Sequence, residues 1–375
     1  MLSCLFLFWL GVIHLIRLSN GVMVMLLAAF IIGQLFPHPL LKGMYVCLAA
    51  VAVILSLFYS KFLPRVFGTV MILSGSAVFL YQQQPLDIWI EGLTRNLPLV
   101  CLIVMVPVLG IPIGLGNYQT LAGITLRFIQ KPQYLYLFIS GLFSLIGPIT
   151  NIVQAAPSIV GQSLYSSMTS VHTWSPYFAS VFLVVYSLNI PIYQYLPYGL
   201  LLSFFQILTA YVLFRCIEMR KIHFVPLGSA ADLHVKKLVE LFAVLLLLTG
   251  LIFLSEPLIP LSISVLISFT VFLFALCWTA YLKLPKHFFK ELNDYRKVIF
   301  PSRANEVNLL LTAGFFSVVL SKTPIAHAIH HVCVELADIY VFLLIVATMT
   351  MIALLSFIGV HQIVTISAHP GDCFV

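Results

Sequence analysis

The chain has 375 residues, of which 61% are hydrophobic and 8% charged, with a formal net charge of +7. An ordinary soluble domain carries about 25% charged residues, so the composition excludes that class and predicts an all-α, polytopic membrane protein. Its basic surplus then reads as topogenic lysine and arginine rather than a nucleic-acid surface, and its seven cysteines, with no Cys-x-x-Cys pair, define no disulfide framework or zinc site.

Residues 1–16 are apolar without a basic start or a small-residue cleavage site. They read as a short first span rather than a signal peptide. Apolar runs long enough to cross the hydrocarbon layer follow at 22–36, 44–60 and 66–82, joined by short breaker-rich segments at 17–21, 37–42 and 61–65. Residues 83–96 read as an interfacial link. Together, 1–96 form an N-terminal set of scaffold spans.

Residues 97–215 are organised differently. An apolar span at 97–115 and an amphipathic piece at 117–130 precede an apolar run interrupted by Gly147-Pro148-Ile149-Thr150-Asn151. A polar break at membrane depth is tolerated only where it is buried in protein or lines a cavity. Residues 134–167 are therefore expected to form a re-entrant hairpin. Spans at 174–190 and 194–215 follow, separated by Asn189-Ile190-Pro191. Residues 216–304 then hold two basic loops, 216–236 and 282–304, around linking spans at 237–254 and 259–281. A span at 305–320, an amphipathic stretch at 324–337 and an apolar run at 339–358 complete a count of about ten full spans.

The basic residues test this map. With 134–167 entering and leaving on one side, Arg17, Lys61, Arg65, Arg127, Lys131, Arg215, Arg220, Lys221, Lys236, Lys237, Lys283, Lys286, Lys290, Arg296, Lys297 and Arg303 share one face. Only Lys42, Arg95 and Lys322 fall on the other. The first face is expected in the cytoplasm, with 216–236 and 282–304 on that side of the cell's inner membrane. A single crossing by 134–167 would set the two halves' charges against each other.

A repeat supports the same map. Residues 97–160 and 309–372 share the order span, amphipathic piece, apolar run, break, and Ser144-Leu145-Ile146-Gly147 aligns with Ser356-Phe357-Ile358-Gly359. The second copy, within 305–375, starts on the opposite side and is incomplete. Paired breaks of this kind in two inverted halves point to a transporter's binding site.

On these features the chain resembles the ion transporter superfamily, which includes divalent-anion/sodium symporters and arsenite permeases. The resemblance implies two inverted repeats, each with a re-entrant hairpin followed by a broken helix. It also implies solute and ion binding at hairpin tips that carry Ser-Asn-Thr-like motifs. Here the first tip is Ile149-Thr150-Asn151, the following helix breaks at His172-Thr173-Trp174-Ser175-Pro176, and the second tip is Gly359-Val360-His361-Gln362. The family's serine before asparagine is absent, and the second broken helix would lie beyond Val375, so a C-terminally truncated member is expected.

The site residues follow. Thr150 and Asn151 offer hydroxyl and amide groups between half-helix ends, and Gln154 lies three positions on; helix capping is the plainer reading for the first two. Ser175 sits at the second break, where a loop entry is the alternative. His361 and Gln362 are the second-tip candidates, unless 339–358 simply spans. His172 can shuttle a proton or make a structural hydrogen bond. His327, His330, His331 and Glu335 share a helical face, expected to be solvated rather than metal-binding. No acidic residue falls in the middle of an assigned span, which favours neutral or anionic cargo. The expected function is a secondary permease for a small anionic solute, with sodium or protons as the coupling ion and no cofactor. It is not expected to be an enzyme; a polytopic glycan polymerase, ligase or acyltransferase is the alternative. Its partners are the lipid bilayer, the solute and, allowed though not required, a second copy in a homodimer, with no nucleic acid.

Overall fold

Proline, glycine and polar pairs mark most of the turns. Helix α1 (Leu2–Leu35) is followed by α2 (Pro39–Tyr59), which opens on Pro39 with the His38 side chain accepting from Leu40 N–H. A proline in the first helical turn loses no hydrogen bond. Next come α3 (Phe62–Tyr81), α4 (Leu86–Arg95), α5 (Leu97–Met105), a 3-10 turn (Val106–Leu109) and α6 (Gly110–Leu115). Helix α7 (Ile192–Leu213) runs into a π-helical turn (Phe214–Glu218). Further along the described chain are α8 (Val235–Ser255), α9 (Ile263–Tyr281), α10 (Pro285–Ser321), α11 (Pro324–Ile339) and α12 (Val341–Phe357). The structure, a computed structural model, describes residues 2–116, 136–137, 140, 166–167, 169–175, 181, 185, 190–218, 235–255, 258–259 and 262–357.

Among the described residues there is no strand. Among the described residues six helical stretches are long and apolar enough to cross a membrane: Pro39–Tyr59, Phe62–Tyr81, Leu86–Leu115, Ile192–Ile217, Ile263–Tyr281 and Ser302–Ser321. The chain forms two compact units. One holds Met1–Val104, Tyr186–Asn189 and Asn293–Val375; the other holds Met105–Val185 and Ile190–Leu292.

In the first unit, α3 lies parallel to the C-terminal half of α10. Ser60 Oγ donates to Ala304 O (3.1 Å), Lys61 N to Asn305 Oδ1 (2.8 Å) and Asn308 Nδ2 to Pro64 O (2.7 Å). At the far end Gln84 Nε2 donates to Val319 O (3.2 Å). Two glycines make this approach possible: a methyl on Gly68 would strike the Asn308 amide, and one on Gly75 would lie 2.9 Å from the Phe315 ring. Helix α4 lies antiparallel on α10, with Asn96 Nδ2 donating to Leu310 O (2.8 Å) and the Trp89 ring 5.4 Å from that of Phe315. These are the small-residue contacts and polar clasps that join helices in lipid, where apolar burial gives no preference for protein over hydrocarbon.

Prolines inside helices free carbonyls, and side chains take them up. Pro301 lies within α10 and offers no N–H to Lys297 O; Asn20 Nδ2 of α1 donates there instead (2.6 Å). The tightening at Val106–Leu109, around Pro107, shifts hydrogen bonding from i−4 to i−3. Tyr295 OH donates to Val104 O, one turn before it (2.8 Å). Burial raises the Tyr295 pKa, and the nearby Arg303 guanidinium partly opposes that shift.

In the second unit, α9 packs on α8, on α6 and on the 3-10 turn. Val181, Val185 and Ile192 form a small core with Tyr195 and Ile263. The π-helical turn begins at Phe214, which is buried and stacks on Tyr136 at 4.2 Å and 13°.

Four readings of the sequence are corrected. Residues 17–21 do not separate a first span from a second: α1 is continuous, because nothing there denies a helix its hydrogen bonds. The loop expected at 282–304 is helical from Pro285 onward and merges with the span expected at 305–320. The span expected at 97–115 tightens at Pro107, and 83–96 is not a separate link, since α4 is continuous with the candidate span Leu86–Leu115 and lies along the C-terminal half of the Ser302–Ser321 stretch. Consequently Glu91 does fall inside a candidate span, Leu86–Leu115.

Candidate functional site

Within the second unit, residues 169–174 are helical and the helix ends at Ser175, before Pro176. Proline disfavours helical geometry in the residue before it and offers no N–H to the carbonyl four positions back. Ser175 N still donates to Val171 O (3.0 Å), which makes it the last regular bond of the segment. The carbonyls of the final turn then need partners from elsewhere. Thr173 O receives Tyr195 OH from α7 at 2.7 Å.

Small and polar residues let α7 come close. An added methyl on Gly199 would lie 2.8 Å from Thr173 O and 3.0 Å from Trp174 Cα. Ser170 and Ser203 share a hydrogen bond between their hydroxyls. Thr173 Oγ1 donates to Ser170 O (2.6 Å) and lies 3.3 Å from Gln206 Oε1. Ser167, Ser170, Ser175 and Ser203 are all buried.

Two polar atoms at the break have no partner among the described residues: Ser175 Oγ and Trp174 Nε1 are both buried and make no hydrogen bond there. Such groups are uncommon in native interiors, and each calls for a reason. The neighbourhood is rich in oxygen, from hydroxyls, an amide and helix-end carbonyls, and the Trp174 indole adds an N–H donor. Oxygens at the C-terminal end of a broken helix suit a small cation, as half-helix ends do in transporters. The indole adds a donor for an anionic or carbonyl oxygen.

Of the residues named from sequence, Ser175 lies at this break. Thr150, Asn151, Gln154, His361 and Gln362 lie outside the described residues. His172 is exposed on the same helical segment. On α11, His331 Nδ1 lies 3.3 Å from Glu335 Oε1, with both side chains exposed. Among the described residues no three metal-ligating side chains cluster. Sequence reasoning named Thr173 only as part of the break and missed Tyr195, Ser203 and Gln206. Their signal is present as Gly199-x-x-x-Ser203-x-x-Gln206, a small and polar stripe at helical spacing opposite the Ser-Pro break.

Comparison with protein-family models, curated proteins and solved structures finds no match to this chain. The helices and their composition define the class: this is a helical, multi-pass membrane protein.

Proposed function

We propose that the protein is a secondary active permease that moves a small anionic solute, built like the ion transporter superfamily it resembles. The single observation that supports this most is the helix end at Ser175, whose buried hydroxyl has no hydrogen-bond partner among the described residues, in a chain that is 61% hydrophobic. Ionisable and polar groups kept at membrane depth against their desolvation penalty are characteristic of solute and ion pathways. In this reading the tip residues Thr150, Asn151 and Gln154 and the second-tip residues His361 and Gln362 complete the site begun at Ser175. Sodium or a proton drives the cycle. About ten segments enter the inner membrane, in two inverted repeats, with the basic segments 216–236 and 282–304 in the cytoplasm.

The test is uptake by proteoliposomes of the full chain, with a panel of labelled inorganic and carboxylate anions, with and without sodium or pH gradients. The reading requires gradient-dependent uptake of at least one anion that falls more than tenfold in Asn151→Ala and in Ser175→Ala. No uptake of any anion under either gradient, from protein shown to be folded, would remove it.

A further inference from the structure

Helix α4 carries its charges at i, i+4 and i+8, as Asp87, Glu91 and Arg95, so the three share one face. The opposite face is buried through Gly92, Leu93 and Asn96. Asp87 and Glu91 are exposed and Arg95 is half-buried. Neither the Glu91 carboxylate nor the Arg95 guanidinium makes an ion pair or hydrogen bond among the described residues.

The depth of this face follows from α10, whose contacts act as a ruler within one unit. Gln84 reaches Val319, Trp89 meets Phe315, an added methyl on Gly92 would lie 3.0 Å from Phe315 Cα, and Asn96 reaches Leu310. The polar groups Lys61, Arg303 and Glu306 gather at one end of this bundle, where Lys61 N meets Asn305. Gln82–Gln84 and Lys322 lie at the other. At 1.5 Å per residue, Glu91, beside Phe315, lies about 10 Å in from the level of Lys322. On the same scale Arg95, beside Leu310, lies about 6–10 Å in from the level of Glu306 and Arg303, nearer that end than the Lys322 end to which the charge map assigned it.

A long arginine stem can snorkel over such a distance, but a glutamate cannot. An ionised carboxylate is not left in hydrocarbon; it faces protein or water. Among the described residues nothing covers Glu91. A two-fold copy across this face would set Glu91 level with its own counterpart, because a symmetry axis along the membrane normal preserves depth. Like charges would then meet at low dielectric.

We propose that the Asp87–Glu91–Arg95 face of α4 lines a water-filled recess that opens at the Gln84–Lys322 end and reaches mid-membrane. The recess is an access route for water-soluble solute or ions and deepens the permease reading, on which its use in transport rests; its existence does not. The test is labelling by a membrane-impermeant cationic methanethiosulfonate, in full-length protein whose seven native cysteines are replaced, reconstituted in liposomes. Glu91→Cys should react at least tenfold faster than Leu73→Cys, which sits on the exposed apolar face of α3. Thr94→Cys, on the same polar face, gives the same comparison should Glu91→Cys fail to fold. Reaction as slow as at Leu73 in both would overturn the recess. So would protection of residue 91 together with its oxidative cross-linking into a covalent dimer, which would make the face a copy-to-copy contact. The labelling needs no uptake assay, so a permease without this recess, or a recess in a protein that transports nothing, would each be recognised.

Discussion

At the residue scale, the two sides of the Ser175 break separate stability from activity. Tyr195 OH satisfies a helix-end carbonyl, so Tyr195→Phe should leave Thr173 O buried and unpaired. That should destabilise the protein by about 1–3 kcal/mol, read as a lower midpoint in detergent unfolding. Gly199→Ala should act similarly, by about 1–3 kcal/mol, because its methyl would press on Thr173 O. Ser175 Oγ bonds to no described residue, so Ser175→Ala should leave the unfolding midpoint near the wild-type value while uptake is lost. A midpoint that falls as far as in Tyr195→Phe would make the serine structural.

Tyr295 gives a pH dependence whose sign can be worked out. Its folded pKa is raised, first by burial, with Arg303 partly opposing. A phenol that ionises more readily unfolded than folded stabilises the native state fully below its unfolded pKa, near 10. That contribution is lost as pH rises through the folded value. Stability measured from about pH 8 to about pH 11 should therefore fall at the alkaline end, and Tyr295→Phe should flatten the fall. An unchanged slope in Tyr295→Phe would mean that other groups carry it.

At the element scale, the helices that were legible in the sequence are those closed by backbone chemistry. Pro39 opens α2, the turns at Gln82–Gln84 and at Lys283 close α3 and α9, and Ser175 ends the helical segment at 169–174. What was not legible is where a helix continues without apolar periodicity to announce it. Arg17 to Gly21 remains helical because polarity alone breaks no hydrogen bonds. Pro301 lies in the stretch read as a loop, yet the helix runs through it and its missing bond is replaced from α1 through Asn20. Helix α4 reads as interfacial from its three charges; only the contacts of Trp89 and Asn96 with Phe315 and Leu310 reveal that it packs along a candidate span. The α4–α10 crossing has its own test. Gly92→Ala would set a methyl 3.0 Å from Phe315 Cα, a backbone atom that cannot rotate away. It should cost about 1–3 kcal/mol in the same unfolding assay, and a neutral result would place the two helices further apart.

At the scale of the whole molecule, the apolar composition already defined a polytopic helical protein, and six described stretches meet the length and hydropathy of a span. The candidate site was only partly legible. Ser175 stood out because a Ser-Pro pair interrupts an apolar run, whereas Tyr195 and Gln206 belong to a separate helix and are joined to the break only by folding. The correction at Glu91 also changes what the chain offers a coupling ion, because a carboxylate does fall within a candidate span, Leu86–Leu115.

The most direct measurement is gradient-driven uptake of labelled anions by proteoliposomes containing either the wild-type chain or Ser175→Ala, at matched folded protein. The account predicts accumulation by the wild type and a loss of more than tenfold in the variant at an unchanged unfolding midpoint. Equal accumulation by the two proteins would contradict it.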